Sequence, residues 1–437
     1  MWEAERLMND PKQSIPPSVL MALTRRAQSA LRRQGRIPPL RRRSEINNGL
    51  SRHAHPQLRM PQWVKPIAAA LLALGIFTSV FSYALIRDLG ERIEQRRIDI
   101  SQFQKQPVEV VDDYSGRSLN ILIIGSDTRE GEGNSDFGSP DEDYGMRSDT
   151  TIIMHVSEDR QRVQFVSIPR DTMVEMPDCE LADGTMVRGD LRQFNAAFSY
   201  GGGPKMNLAS AVNCTKKTVE AMSGLTIDEF VVLDFAGFES LVDALGGVDI
   251  CLDEDIEDEL ADLKLKAGCQ HIDGYVALGL ARSRHSTEDG SDLSRIDRQQ
   301  YLMMEIVNTA LNKSLLTDLP TLYSFLREGI ATVHTSPALS NLSTSAGLAR
   351  SVKGIPTKDF QFVTMPWEEY PWDSNRVQAA QAATGVWEAL KNDAAFPPGT
   401  KVKAADGTDG LIGDDGLIKP EDEATASEDE QPTYSHP

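Results

Sequence analysis

Residues 150–168 read TTIIMHVSEDRQRVQFVSI, two short runs of branched and aromatic residues joined by a polar connection. A connection of that length is typical of a hairpin, so the two runs are expected to pair as antiparallel β-strands. A similar run, LNILIIG at 119–125, precedes them. Helix-like patterns follow at 273–281, 294–313 and 376–391. The combination predicts an α/β fold in which helices flank a mixed central sheet.

Charge divides the 437-residue chain into two unlike parts. Residues 1–65 carry 13 Lys and Arg against 4 Asp and Glu, a net of +9, while the formal charge of the whole chain is −20. The remaining 372 residues therefore carry −29. A field of that sign repels phosphate backbones, so this larger part of the chain is not expected to bind nucleic acid.

A run without charge joins these two parts. Residues 66–86 hold no charged side chain over 21 positions, long enough to cross a bilayer as one helix. A cleaved signal peptide would begin closer to the N-terminus, and a buried core helix is the other alternative. By the positive-inside rule, residues 1–65 form a basic cytoplasmic arm, 66–86 a single transmembrane helix, and the rest lies outside the cell membrane.

Composition predicts the boundaries of the outer part. Residues 87–117 begin with charged side chains and are expected to form a polar stalk, and residues 118–395 the folded domain. Residues 404–437 hold ten acidic residues and one lysine, with too little apolar surface to offset the entropy of ordering. We therefore expect residues 396–437 to form an acidic, disordered tail.

All the cysteines lie in the outer part of the chain. They are Cys179, Cys214, Cys251 and Cys269. An even number in an oxidising compartment indicates disulfides, and the spacing lacks the closely paired ligands of a zinc site. Of the possible pairings, those with short loops close most readily, which favours Cys179 with Cys214 and Cys251 with Cys269.

Ionic residues flank the three predicted strands. Asp127 follows the first strand, Asp149 precedes the second, and Arg170 and Asp171 follow the third. In an antiparallel meander the end of one strand lies beside the start of the next, so these side chains are expected to gather at one edge of the sheet. Two carboxylates beside an arginine suit Mg²⁺ (or Mn²⁺), which keeps waters and shares a phosphate ligand. The alternative is that the aspartates only cap turns.

A second cluster is rich in arginine. Arg282 and Arg284 share a face if their segment is extended, and Arg295 and Arg298 are i, i+3 neighbours on the following helix, with Gln299 beside them. Two pairs of guanidinium groups on one side would clamp a diphosphate. The alternative is surface salt bridges with nearby acids. Those acids are Glu288, Asp289, Asp292 and Asp297.

Several segments, in consistent order, resemble a known family. They read LNILIIGSDTR, RSDTTIIMHV, VQFVSIPRDTMVEMP, FNAAFSYGG, DEFVVLDFAGFESLVDALGGVDI, HIDGYVALGLARSRH and SRIDRQQ, and they cover roughly residues 117–395. This succession resembles the LytR-CpsA-Psr family of cell-wall ligases. The resemblance implies a membrane-anchored phosphotransferase that moves a glycopolymer from a polyprenyl-pyrophosphate carrier onto peptidoglycan. A lipid-linked glycan, peptidoglycan and the membrane are then its expected partners.

The resemblance also implies roles for individual residues. Asp127 and Asp149 match the family's metal-binding aspartates, and Arg170, Asp171, Arg282 and Arg284 are the expected catalytic residues. The residues expected to contact the pyrophosphate are Arg129, Arg147, Arg170, Arg282, Arg284, Arg295, Arg298 and Gln299. A departure from the family pattern is the long acidic loop between Arg129 and Arg147, EGEGNSDFGSPDEDYGM.

The chemistry that the resemblance implies is phosphoryl transfer. The cation and the arginines neutralise the diphosphate, a sugar hydroxyl attacks the phosphorus that bears the glycan, and polyprenyl phosphate leaves. Asp149 and Asp171 are both candidate bases, and the sequence does not separate them. A helical stripe is interpreted as core packing rather than as the wall of a lipid groove. It consists of Phe238, Leu241, Val242 and Leu245.

Other functions are compatible with the same residues. Water in place of the acceptor hydroxyl would make the protein a lipid-pyrophosphate hydrolase. A membrane-bound transcriptional attenuator would need a cytoplasmic DNA-binding domain, and residues 1–65 are rich in proline and show no evident helix-turn-helix. A catalytically inert wall-binding scaffold is the third alternative.

Overall fold

The computed structural model describes residues 63–103, 114, 116–127, 146–283, 292–312, 325–329 and 332–420. Contacts divide the chain into two units, Met1–Leu71 and Leu72–Pro437. In the first unit only the beginning of one helix is described. The sheet, the disulfides and the candidate site all belong to the second unit.

Strands make up the centre and several small peripheral ribbons. In chain order they are β1 Leu119–Ser126, β2 Ser148–Val156, β3 Val163–Ser167, β4 Met173–Glu175, β5 Cys179–Glu180, β6 Met186–Val187, β7 Leu191–Gln193, β8 Glu229–Leu233, β9 Val248–Leu252, β10 Ile256–Asp258, β11 Leu263–Leu265, β12 Gly268–Ile272, β13 His334–Thr335, β14 Phe360–Thr364, β15 Trp367–Glu369, β16 Val377–Ala379, β17 Lys401–Ala404, β18 Asp409–Ile412 and β19 Ile418–Lys419. Nine of them form the central sheet, in the order β13-β8-β1-β2-β3-β14-β17-β18-β19.

The sheet is mixed, as predicted. β2 pairs antiparallel with both β1 and β3, so the predicted hairpin over residues 150–168 is confirmed. β8 joins β1 in parallel, and β14 joins β3 in parallel. The antiparallel meander in the middle places the end of β1 beside the start of β2, and the end of β3 near both.

Helices surround the sheet. In chain order they are α1 Val64–Gln95, α2 Ala196–Gly202, α3 Leu208–Ser223, α4 Phe235–Ala244, α5 Gly274–Arg282, α6 Asp292–Asn312, α7 Leu342–Val352 and α8 Gln381–Lys391. Short helical turns lie at Ser101–Phe103, Gly203–Lys205, Glu259–Ala261, Phe325–Gly329 and Thr357–Asp359. The helix predicted over 376–391 begins later than expected, because residues 377–379 pair with β15 as a strand.

Helices cover both faces of the sheet, which gives three layers. Alternate strand residues point to opposite faces. Ile124 and Ile153 join one hydrophobic core with Val212 of α3 and Val386 of α8. Ile121 of β1 joins the core of the other face, which receives side chains from α6 and α7. The architecture is α/β/α, and the site described below lies on the second of these faces.

The predicted transmembrane segment lies within α1. Within the part of the chain that the structure describes, α1 is the one helix long and apolar enough to cross a membrane, judged by length and composition. It continues through the predicted span of 66–86 to Gln95. The polar stalk expected at 87–117 is different in the structure, because Leu89 and Ile93 are buried and Ile98 and Ile100 enter the core.

The disordered tail predicted from residue 396 is wrong as far as residue 420. Phe396, Val402 and Ile412 are buried in the core, and β17 pairs antiparallel with β14. The average composition hides a local alternation of apolar and polar residues, which is the pattern of a half-buried strand. Residues 421–437, where most of the acidic side chains of the predicted tail lie, are outside the described residues.

Both predicted disulfides are present. Cys179–Cys214 connects β5 to α3 across 35 residues of chain. Cys251–Cys269 connects directly opposed positions of β9 and β12, 18 residues apart in sequence. The first bond is buried, whereas both cysteines of the second are exposed.

Candidate functional site

Asp127 stands where β1 ends and β2 begins. Its Oδ1 accepts a 2.6 Å hydrogen bond from the backbone N–H of Arg147, and its own N–H donates to the Arg147 carbonyl at 3.1 Å. One backbone bond and one side-chain bond thus hold Asp127 against Arg147 just beyond the last pair of the β1–β2 ladder. The turn-capping interpretation of Asp127 therefore describes part of its role, and the carboxylate also lines the cavity described below.

Arg170 and Asp171 follow β3 and meet Asp149 of β2. Arg170 Nη1 donates to Asp149 Oδ1 at 2.7 Å, and Arg170 Nε lies 3.4 Å from Asp171 Oδ2. Asp171 Oδ1 also accepts from Gln193 Nε2 at 2.9 Å and from Arg376 Nη1 at 3.4 Å. Three side chains thus contact the Asp171 carboxylate. The strand-end residues thus form one connected ionic network.

Two arginines of the second cluster line the cavity described below from the helices. Arg295 is only 3% exposed, and its Nη2 donates to the Asp149 carbonyl at 3.3 Å. Arg282 is the last residue of α5, and its guanidinium lies over the Phe235 ring, 4.7 Å from the centroid. The prediction of an extended segment at Arg282 is wrong, because the apolar helical pattern before it continues through this residue.

The remaining predicted site residues are placed differently. Gln299 lines the cavity and donates from Nε2 to the Ala281 carbonyl at 3.1 Å. Arg298 does not line the cavity, and its Nη2 donates to the Ser283 carbonyl at 2.6 Å. Arg129 and Arg284 lie outside the described residues, as does most of the acidic loop that precedes Met146.

The ionic network lines one end of a cavity of about 930 Å³, and this end reaches solvent at the exposed Arg147. Apolar side chains of the sheet form one wall: Ile121, Ile123, Ile152, Met154, Val231 and Leu233. Helices and loops supply the opposite wall, which includes Phe238, Leu241, Leu278, Leu302, Met303, Ile306 and Leu348. The arrangement is an apolar chamber with a charged entrance, which is the composition of a site for an amphiphilic ligand.

The stripe on α4 has two roles. Val242 and Leu245 are buried in a hydrophobic core, as predicted. Phe238 and Leu241 are only half-buried because they face the chamber. Core packing alone is therefore the wrong interpretation for these two residues.

The formal charges on the cavity wall cancel. Among the described residues, the wall carries five arginines, Arg147, Arg170, Arg282, Arg295 and Arg376, and five aspartates, Asp127, Asp149, Asp171, Asp234 and Asp258. Asp234 and Asp258 cap helical turns, and they accept hydrogen bonds from Gly237 N and Leu260 N respectively. The site is neutral inside a strongly acidic chain, so the arginines locally offset the field that would repel a diphosphate.

The donors present fit a divalent cation only if other ligands complete its shell. No group of three or more His, Cys, Asp or Glu side chains able to hold a metal occurs in the part of the chain that the structure covers. Asp127 and Asp149 offer hard carboxylate oxygens at neighbouring strand ends. Mg²⁺ commonly binds through one or two carboxylates, several waters and substrate phosphates. The residues therefore fit Mg²⁺ together with a phosphate ligand.

Sequence reasoning missed several polar residues of this site, beyond the helix-capping Asp234 and Asp258. Arg376, Gln193 and Asn195 line the cavity. Arg376 reaches Asp171 although 205 residues separate them in the chain, because β16 runs beside Thr172 through an isolated bridge at Val377. No sequence motif near Arg376 predicts this contact. Gln193 directly precedes the FNAAFSYGG segment and Asn195 is its second residue, and that position is the one signal that could have included them.

Comparison with known proteins finds one matching family and several similar sequences. The model of the LytR_cpsA_psr family matches residues 91–392. The chain is 34% identical over 200 residues to the probable cell wall biosynthesis protein LcpB of Corynebacterium glutamicum, covering 45% of this chain and 43% of that protein. It is 28% identical over 264 residues to the polyisoprenyl-teichoic acid–peptidoglycan teichoic acid transferase TagT of Bacillus subtilis, covering 59% and 71%.

The match to LcpB spans less than half of that relative's length. Among solved structures, protein gbs0355 from Streptococcus agalactiae aligns with a TM-score of 0.50 at 16% identity, over 64% of this chain and 88% of that one. This likeness shows a common fold. The family model spans more than half of the chain, including both strand-end aspartates and the arginines of the cavity entrance, and the chain therefore belongs to the LytR_cpsA_psr family.

Proposed function

We propose that this protein transfers a glycopolymer from a polyprenyl-pyrophosphate carrier to peptidoglycan by Mg²⁺-assisted phosphoryl transfer. The observation that carries the proposal is the apolar chamber of about 930 Å³ with arginines and carboxylates at its entrance. A ligand that fills both parts must combine a long apolar chain with a compact anionic group. A polyprenyl pyrophosphate has this combination.

The apolar chain of the carrier occupies the chamber between the sheet and helices α4 and α6. Half-buried side chains such as Ile123, Met154 and Met303 become covered when the chain enters. Removing their apolar surface from water stabilises the complex by roughly 25 cal/mol per Å² before the costs of association are subtracted. The chamber thereby fixes the depth at which the pyrophosphate sits.

The pyrophosphate then lies among Arg147, Arg170, Arg282, Arg295 and Arg376. Planar guanidinium groups donate two parallel hydrogen bonds to phosphate oxygens, which gives orientation as well as charge. Several of these arginines are held in place by other contacts, such as Arg295 by the Asp149 carbonyl. Donors positioned in advance stabilise the charge that develops during transfer without having to reorganise.

Asp127 and Asp149 are the residues proposed to hold Mg²⁺. When bound with the substrate, the cation supplies neutralising charge to the diphosphate oxygens. Among the described residues, the five arginines and five aspartates of the wall cancel, so these side chains alone offer no net positive charge to a doubly charged diphosphate diester. A divalent cation would balance it, and this charge balance supports the proposal.

The reaction forms one P–O bond and breaks another. The acceptor hydroxyl oxygen of peptidoglycan attacks the phosphorus that bears the glycan, and the bond from that phosphorus to the bridging oxygen breaks. Polyprenyl phosphate leaves with that electron pair. We assign the hydroxyl proton to Asp149 or Asp171, the two carboxylates that contact Arg170.

The names of two similar proteins support the proposed transferase activity. TagT of Bacillus subtilis is named as a transferase of teichoic acid to peptidoglycan, and LcpB of Corynebacterium glutamicum as a probable cell wall biosynthesis protein. We extend the general activity, glycopolymer transfer during wall assembly, to this chain. In the same proposal α1 anchors the protein in the membrane, residues 1–65 are cytoplasmic, and the catalytic domain is outside the cell.

The test uses the purified full-length chain in detergent. It is incubated with a polyprenyl-pyrophosphate glycan, peptidoglycan free of attached polymers, and a titration of Mg²⁺. We expect glycan joined to peptidoglycan through a phosphodiester, with one polyprenyl phosphate released per transfer. Release of glycan phosphate with no coupling to peptidoglycan would instead identify a hydrolase. No cleavage of the donor under any of these conditions would contradict both activities.

A further inference from the structure

The hairpin of β15 and β16 exposes aromatic side chains on the surface of the catalytic domain. Trp372, in the connecting loop, is 80% exposed, and Trp367 of β15 is 39% exposed. The ring of Tyr370 lies 5.1 Å from that of Trp372, tilted by 56°. Two of the five tryptophans of the chain are therefore presented to solvent on one short hairpin, where burial would normally be favoured.

The loop holds these rings in a defined arrangement. Tyr370 N donates to the Arg376 carbonyl at 2.9 Å, which closes the hairpin. Inside the loop, Asp373 N donates to the Tyr370 carbonyl at 3.1 Å, and Arg376 N donates to the Asp373 carbonyl at 3.0 Å. Because the backbone is fixed in this way, Trp372 loses little freedom when a ligand packs on it.

Hydrogen bonds connect the hairpin to Asp171 of the candidate site. Arg376, at the base of the loop, donates to Asp171 at 3.4 Å, and the N–H of Val377 donates to the Asp171 carbonyl at 3.4 Å. Four residues of chain separate Trp372 from Arg376, and at most about 3.6 Å per residue places their Cα atoms within about 14 Å. A chain of a few sugars that packs on Trp372 can therefore reach the entrance of the cavity.

We propose that the hairpin, residues 367–379, is a platform that binds the glycan backbone of the peptidoglycan acceptor. This inference rests on the proposed function. The flat face of an indole or phenol ring packs against the C–H groups of a pyranose ring, and neighbouring polar side chains bond its hydroxyl and acetamido groups. Trp372 and Tyr370 provide the faces, and Asp373 and Asn375 provide exposed polar groups beside them.

The charge of the hairpin favours this occupant over an anionic one. Glu368 and Glu369 are exposed carboxylates, whereas Arg376 lies 3.4 Å from Asp171 Oδ1 and 3.7 Å from Asp373 Oδ2, so its charge is shared between two aspartates. A phosphate-rich polymer or an anionic lipid surface would be repelled by these carboxylates. The peptidoglycan backbone consists of N-acetylated amino sugars that carry no charge on the ring hydroxyls. The platform therefore fits the acceptor better than an anionic donor polymer or the membrane.

Binding can be measured without any transfer. The full-length chain in detergent is mixed with peptidoglycan free of attached polymers and, separately, with soluble oligomers of N-acetylglucosamine. We expect Trp372→Ala to weaken binding of both by about tenfold, the loss common for an aromatic residue at the centre of a contact. Trp372→Phe should retain most of the affinity because it keeps an aromatic face. Leu417→Ala is the matched control, since Leu417 is 62% exposed and lies in the connection between β18 and β19 of the central sheet.

The kinetics of transfer distinguish a failure of this inference from a failure of the proposed function. We expect Trp372→Ala to raise the KM for peptidoglycan and to leave the KM for the lipid-linked donor unchanged, with an unchanged melting temperature because the side chain is exposed. Binding of peptidoglycan that depends on Trp372, without transfer by the wild-type chain, would support the platform and contradict the transferase.

Two results would overturn the platform. The first is transfer by the wild-type chain with the same peptidoglycan affinity and KM in Trp372→Ala. The second is a loss of binding to vesicles of anionic phospholipid in this variant, with peptidoglycan binding unaltered, which would show a membrane contact instead.

Discussion

Arg170 donates a 2.7 Å hydrogen bond from Nη1 to Oδ1 of Asp149, across the neighbouring ends of β3 and β2. The two residues are 21 positions apart, and the antiparallel pairing of their strands brings them together. A proposed metal ligand and a proposed pyrophosphate contact therefore share one ion pair. Removing the carboxylate of Asp149 therefore also releases the guanidinium group of Arg170.

Asp149→Ala should lower kcat for transfer by about 10²-fold or more, because it removes a cation ligand and releases the guanidinium of Arg170. The dependence of rate on Mg²⁺ concentration should weaken at the same time. Asp414→Ala changes an exposed aspartate near the C-terminal strands and should leave both quantities unaltered. Wild-type rates in Asp149→Ala would place the site elsewhere.

Arg282→Lys should impair transfer although it preserves the charge. Lysine lacks the planar fork that bonds two phosphate oxygens and that lies over the ring of Phe235. We expect a loss of about 10-fold or more in kcat/KM, measured with the lipid-linked donor at saturating peptidoglycan. Arg350→Lys, on an exposed position of α7, is the matched control. Equal kinetics in the two variants would show that no bidentate contact is made at Arg282.

Met303→Trp should discriminate between donors by the length of their lipid. Met303 lines the chamber and is half-buried, so a larger ring occupies volume that a long polyprenyl chain needs. The KM should rise for a long-chain donor and change little for a short-chain analogue. Met222→Trp, half-buried against the core of the other face, serves as the control for the bulk of the new side chain. The prediction fails if both donors respond equally to Met303→Trp.

Glu229 should make the domain less stable as pH rises. Burial raises the pKa of this carboxyl above its ordinary value of 4.5, even though it accepts hydrogen bonds from Ser336 and Tyr114. The folded state then holds the proton more tightly than the unfolded state. Stability is therefore full below pH 4.5 and falls as pH increases to the raised pKa, above which it is constant.

Glu229→Gln cannot ionise and removes this loss. The free energy of unfolding of the variant and of the wild type is measured in denaturant from pH 4 upward. As pH rises, the variant should become more stable relative to the wild type. The shift should occur over the range in which Glu229 ionises. If the difference in free energy of unfolding between the two proteins is the same at every pH, the Glu229 carboxyl has the same pKa in the folded and unfolded states.

The N-terminal arm should face the cytoplasm. Residues 1–65 carry a net charge of +9 directly before the apolar run, and such loops remain on the inner side. Reporter fusions at Gly49 and Gly184 test this orientation. Activity of an externally active reporter is expected at Gly184 alone, and the same activity at Gly49 would reverse the topology.

Local patterns predicted the centre of the fold well. The branched runs of β1, β2 and β3 lie next to one another in sequence, so a short hairpin and strand order fix the positions of Asp127, Asp149 and Arg170. Arg376 could not be predicted in this way, because its contact with Asp171 depends on β16, which follows 205 residues later. The dual role of the α4 stripe also escaped prediction, since Phe238 and Val242 are equally apolar and only tertiary packing separates them.

The three C-terminal strands determine where the folded domain can be cut. A fragment that stops at residue 395 lacks β17, and the N–H and C=O groups of Gln361 and Phe362 that pair with it become an open edge. An unprotected edge recruits strands from other molecules, and Val402 and Ile412 also leave the core. Recombinant fragments for crystallisation or assays should therefore extend through residue 420, since shorter ones are expected to self-associate even when they contain all the candidate site residues.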